Sequence, residues 1–181
     1  MALKPIFIIL AVSLFIISIA YADTVKPQDN EIKALIAKIP TIAMDEGVGG
    51  QGSRNIVEEL NAFHGLAIPY LLPLLKSKDL RVRDFVGYVL RDQVGLTEKH
   101  LDVLMDACHR GNGWLPLAIE RIGTPRAIKF LVEELKYNSF SGEGLIDALV
   151  NVGSKVMPEI VVLFKNPKPL SDQRSREICY Y

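Results

Sequence analysis

Apolar residues along this chain fall into two patterns. The first is a run at 6–19, broken only by Ser13 and Ser18. From residue 31 onward the apolar positions instead recur at helical spacing, as with Ile128, Leu131, Val132 and Leu135 at i, i+3, i+4 and i+7. Strand-like alternation is nowhere sustained. Helix-periodic stretches end at Gly65, Gly95, Gly123 and Gly153, spaced 30, 28 and 30 residues apart. Each glycine is followed by another amphipathic stretch, at 67–75, 98–108, 125–135 and 156–164, so the unit is a helix pair repeating about every 30 residues. One such pair cannot bury its own apolar face, whereas stacked pairs share a continuous core. The punctuation agrees: Thr124 before Pro125 is a favoured helix start, and Pro69 and Pro158 also lie near helix beginnings.

The apolar run follows the basic start at Lys4 and ends in Ala20-Tyr21-Ala22, small residues where signal peptidase reads them. Residues 1–22 therefore read as a secretory signal peptide cleaved before Asp23. An uncleaved anchor is the alternative, because residues 6–22 reach the lower limit for spanning a bilayer. The chain of 181 residues carries 21 basic and 21 acidic groups. Cleavage removes one lysine and leaves a charge of about −1, which argues against a nucleic-acid partner and, after cleavage, against a membrane one. The expected address is extracytoplasmic, periplasmic or secreted, where ATP and reduced nicotinamide are scarce and disulfides are permitted. Cys108 and Cys179, two repeats apart, are expected to be buried thiols and not a bridge.

The strongest internal match pairs Asp79-Leu80-Arg81-Val82-Arg83-Asp84-Phe85-Val86-Gly87-Tyr88 with Asp172-Gln173-Arg174-Ser175-Arg176-Glu177-Ile178-Cys179-Tyr180-Tyr181. The aspartate of each is placed to cap a helix. Together with Ala67-Ile68-Pro69, Leu71-Leu72, Leu74-Leu75, Ile122-Gly123-Thr124-Pro125-Arg126-Ala127-Ile128, Ala148-Leu149 and Val152-Gly153, these residues resemble HEAT-like repeats, particularly the short class found in bilin lyases. The resemblance runs from about Asn55 to the end. It implies a right-handed α-solenoid of about four helix pairs, residues 54–181, preceded at 23–53 by a helix and a glycine-rich loop that form a degenerate first repeat. The unit from Leu96 departs from the pattern, carrying Gly111-Asn112-Gly113-Trp114-Leu115-Pro116 in place of the Asp/Arg pair. The unit from Thr124 lacks that pair too. Aligning Tyr181 with Tyr88 leaves the last helix about seven residues short, so the expectation is either a truncated product or an uncapped final repeat.

In the N-terminal part, 31–39 reads as a helix, 44–53 as a loop, and 54–64 as a helix capped by Ser53. Gly47-Val48-Gly49-Gly50-Gln51-Gly52 satisfies G-x-G-x-x-G, but it follows a helix and lies in no βαβ unit, so it reads as a connecting loop. Asp106 and His109 have the spacing of metal ligands on one helix face, with Cys108 off that face and no second cluster; His109 reads as a helix-end residue. The neighbouring pairs Glu58-Glu59 and Glu133-Glu134 read as solvated faces. No catalytic constellation, cofactor motif or metal set emerges, although a site assembled from residues some 30 apart would escape such a scan.

What remains is the concave surface, which in this repeat class is lined by the second helix of each unit. Its exposed candidates are Arg81, Arg83, Tyr88, Arg91, Trp114, Arg121, Asp147 and Asn151, in which Tyr, Trp and Arg are the usual anchors of protein interfaces. The structural alternative pairs Arg83 with Asp79 and Arg176 with Asp172, and packs Trp114 under the turn at 111–113. The expected function is a non-enzymatic exported scaffold or adaptor that binds another protein. The resemblance adds the alternative of chromophore attachment or chaperoning, and the short last helix that of a fragment of a longer repeat protein.

Overall fold

The computed structural model describes residues 28–135 and 143–165. The leader at 1–22, the repeat copy at 172–181 with its Arg176–Asp172 pair, and Cys179 lie outside the described residues. Every regular element among those described is helical. In order they are α1 (28–45), α2 (Gln51–Asn61), α3 (Ile68–Leu71, continued as a 3-10 turn over Leu72–Lys76), α4 (Leu80–Asp92), α5 (Leu101–His109, entered through the 3-10 turn Glu98–His100), α6 (Leu115–Ile122), α7 (Pro125–Glu134), α8 (Glu143–Val152, followed by the 3-10 turn Gly153–Val156) and α9 (Met157–Lys165).

The helices pack alternately. α2 lies on α4, α4 on α6 and α6 on α8, while the 3-10 extension of α3 meets α5 and α7 meets α9. Sequential neighbours also pair, α5 with α6 and α7 with α8. Their apolar stripes meet in one core that includes Leu71, Leu75, Phe85, Leu90, Leu101, Leu104, Leu115, Ile119 and Leu131. α1 joins it through Ile32, Leu35, Ile39 and Ala43, one face of a helix, and its Asp29 accepts a hydrogen bond from the Tyr70 hydroxyl on α3.

The four period-marking glycines all have left-handed φ, from 64° at Gly153 to 99° at Gly95. Gly65 shows why a side chain is excluded: a Cβ there would lie 2.3 Å from the Val94 carbonyl oxygen, beside Gly95. The helix starts also follow the sequence. Asp79 caps α4 by accepting from the Arg81 amide at 2.9 Å, and Thr124 caps α7 by accepting from Ala127 at 3.3 Å with Pro125 behind it.

The N-terminal boundaries differ from expectation. α1 runs on to residue 45, and α2 begins at Gln51 inside the glycine-rich stretch. Ser53 is no cap; it is buried in the first turn and donates to the Gly50 carbonyl at 2.7 Å. The cap comes from the turn after α1, where the Glu46 carboxylate accepts from the Gly52 amide at 2.7 Å. Cβ atoms at Gly50 and Gly52 would come within 2.5 and 2.6 Å of that carboxylate, so the glycines make room for it. The Gly52 amide in this stretch is thus taken by a side chain of the protein itself.

Candidate functional site: a ring-stacked arginine on the outer face

Opposite the buried Val82, Phe85, Val86, Val89 and Leu90, α4 turns Arg81, Asp84, Tyr88 and Arg91 outward at i, i+3, i+7 and i+10. Trp114 at the N-cap of α6, with Leu117 and Arg121 on the helix, forms the corresponding face, because Leu115, Pro116, Ala118 and Ile119 face the core. On α8 it carries Asp147 and Asn151, both exposed.

Four of the eight sequence candidates converge where α4 and α6 touch. The Tyr88 and Trp114 rings meet edge to face, centroids 5.2 Å apart at 75°. The Arg91 guanidinium carbon stands 4.6 Å from the first centroid and 5.3 Å from the second. Its Nε is 3.2 Å from both Asp92 oxygens and its Nη2 donates to Oδ2 at 2.6 Å. Arg121 then reaches Asp92 Oδ1 at 3.5 Å. The Asp92 hydrogen bonds push the Arg91 pKa further up, so the cation is permanent. Two ring contacts and a bidentate carboxylate hold Arg91 in one geometry, each ring contact adding about 0.5–1 kcal/mol at an exposed site. Such an arginine loses little freedom on meeting a partner. The patch carries two cations against one anion, with apolar ring surface between them.

The remaining candidates stand elsewhere. Arg83 does not pair with Asp79: Asp79 is taken by Arg81 at 3.1 Å, and Arg83 donates to the Ser77 carbonyl at 3.1 Å. The reason is geometric, since Arg81, two residues after the capping aspartate, folds back on it, drawing the carboxyl below its ordinary pKa. Trp114 packs on Tyr88 of the neighbouring helix. Asp147 and Asn151 make no hydrogen bond or ion pair with the cluster among the described residues.

Several residues that matter were not singled out by the sequence. Asp92 is the carboxylate that ties both arginines. Asn112 is buried, donates from Nδ2 to the Arg83 carbonyl at 2.6 Å and accepts the Trp114 amide on Oδ1 at 3.2 Å, which sets the indole against α4. Gly87 in the middle of α4 is its signal, because a Cβ there would lie 2.1 Å from Asn112 Oδ1. Glu134 is buried, against the reading of Glu133-Glu134 as a solvated pair, and sits 2.9 Å from Nδ1 of His109, the last residue of α5. It follows Phe130 by one turn, and Phe130 itself packs edge to face on the His109 ring, so the stripe facing α5 ends in an acid. Burial, with the Glu134 charge nearby, pushes the Cys108 thiol up to about 12. Asp106 is engaged by Arg110. No three His, Cys, Asp or Glu side chains converge on a metal position among the described residues, and no described helix is long and apolar enough to cross a membrane. Comparison with protein-family models, with curated proteins and with solved structures finds no match.

Proposed function

We propose that this chain is an exported α-solenoid of HEAT-like helix pairs that serves as a scaffold or adaptor, holding another protein against its concave face, the solvent-facing side of α4, α6 and α8. The alternate packing of helices and the four left-handed glycines at a 28–30 residue spacing support the repeat reading. The Tyr88–Arg91–Trp114 stack with Arg121 beside it carries the binding reading. Aromatic and arginine side chains fixed before contact are what interface hot spots are made of. Exposed Ile146 and Val150 continue the surface on α8 with apolar contact area. A right hand for the stack and an extracytoplasmic address belong to the same reading, through the HEAT-like resemblance and the A-x-A leader.

The test is crosslinking in the native cell followed by affinity recovery, comparing wild type with Trp114→Ala and Arg121→Ala. One protein recovered with wild type and lost with both variants, whose circular dichroism is unchanged, meets the proposal. Recovery insensitive to both substitutions rejects this face. Trp114 is the only tryptophan, so its fluorescence should also change when the partner is added.

A further inference from the structure

A separate cavity of about 230 Å³ opens between the start of α4 and the turn that joins α5 to α6. It is smaller than the pockets that take drug-sized ligands, which begin at roughly 300 Å³. Leu75, Leu80 and Ala107 form its apolar wall, and Arg83, Asp84 and Arg110 bring charge to it. Arg83 uses one N–H on the Ser77 carbonyl, and Arg110 engages Asp106 through Nη1. Each guanidinium has five donors, so both keep donors for a ligand. Asp84 is different. Half-buried, with Arg83 adjacent in sequence, it makes no hydrogen bond or ion pair among the described residues. Removal from water raises its pKa, and the neighbouring Arg83 charge offsets this only in part. A cavity with donors for an anion, a carboxylate without a hydrogen-bond partner and an apolar wall complements a small zwitterion that carries an aliphatic group.

We infer that this cavity binds a free aliphatic α-amino acid, its carboxylate taken by Arg83 and Arg110, its ammonium by Asp84, and its side chain by Leu75, Leu80 and Ala107. The site uses side chains other than the Tyr88–Arg91–Trp114 stack, and it adjoins that stack through Asp84 on the same stripe of α4 and through Asn112, which lines the cavity and holds the Trp114 amide. An unpaired, partly desolvated carboxylate costs stability that a bound ammonium returns, which gives the site a preference for the zwitterion over a plain acid.

The experiment is isothermal titration of the purified protein with L-leucine, with isocaproate, which lacks the ammonium, and with isoamylamine, which lacks the carboxylate. Saturable binding of L-leucine, with each analogue weaker by about tenfold or more, is the expected result. Asp84→Asn should weaken L-leucine by about tenfold while leaving the circular dichroism unchanged, and Arg110→Gln should do the same from the carboxylate side. Isocaproate binding as tightly as L-leucine would overturn the inference, as would an Asp84→Asn variant of undiminished affinity. Absence of saturable heat up to about 20 mM L-leucine would overturn it as well. If a substitution prevents folding, the analogue series on the wild-type protein still decides the matter.

Discussion

Gly87→Ala is the substitution for which helix propensity and packing give opposite signs. Gly87 lies in the interior of α4, where glycine costs about 1 kcal/mol relative to alanine, so propensity alone makes the variant more stable. The structure reverses this. An added Cβ would stand 2.1, 2.4 and 2.5 Å from Oδ1, Nδ2 and Cγ of Asn112. The side chain is short and tied at both ends, by 2.6 Å to the Arg83 carbonyl and by 3.2 Å to the Trp114 amide. It cannot retreat without giving up these bonds, worth about 1 kcal/mol each, and leaving buried amide atoms unmatched at a further 1–3 kcal/mol or so. Against the propensity gain, the net loss is about 2–4 kcal/mol. For a chain of this size that lowers Tm by about 2–4 °C per kcal/mol. Urea unfolding should show the loss in the single variant and its disappearance in an Asn112→Ala background, where Gly87→Ala should become neutral or stabilise by up to about 1 kcal/mol. A Gly87→Ala variant more stable than wild type, or effects that add within about 0.5 kcal/mol, would refute the reasoning.

Other outcomes follow from the same geometry. Asp84→Asn should raise Tm at neutral pH: the folded-state pKa of Asp84 lies above its ordinary 3.8, so its contribution is intact below that value and is lost as pH rises through the folded pKa. Thermal melts from pH 3 to 7 should show the advantage of the variant growing with pH; an advantage independent of pH would contradict this. Cys108 should resist iodoacetamide at pH 8 in the folded protein and react once urea is added, read by mass spectrometry of its peptide. Because its pKa is raised to about 12 from 9.0, the contribution of this thiol to stability is intact below pH 9 and lost between 9 and about 12. Gly65→Ala combines a left-handed φ of 86° with a 2.3 Å clash against backbone and should cost about 2 kcal/mol or more, with a Tm unaffected by the change being the contrary result. Arg91→Ala should alter the emission of Trp114 with little change in helix content, since the guanidinium lies against the indole; an identical spectrum would dissociate the two.

Helix type, helix order and most helix starts were legible in the chain alone, because they depend on local physics. A 3.6-residue apolar period, an aspartate or threonine before a helix, and a glycine needed for left-handed φ act over one or two turns, and Asp79, Thr124, Gly95 and Gly123 stand where those rules put them. The exposed face of α4 and α6 was legible for the same reason. The boundary between α1 and α2 was not, since the cap of α2 is Glu46 reaching from outside the helix, which no local pattern announces. Tertiary structure alone decided which charges meet. Arg91 and Arg121 are joined by Asp92, which the sequence leaves indistinguishable from any solvated acid; Glu134 is buried because α5 places His109 against it; Asn112 is a structural pin because α4 leaves a gap at Gly87. These contacts span 25 to 29 residues. Their energy depends on the distance between helices that packing fixes, and no periodicity along the chain encodes that distance.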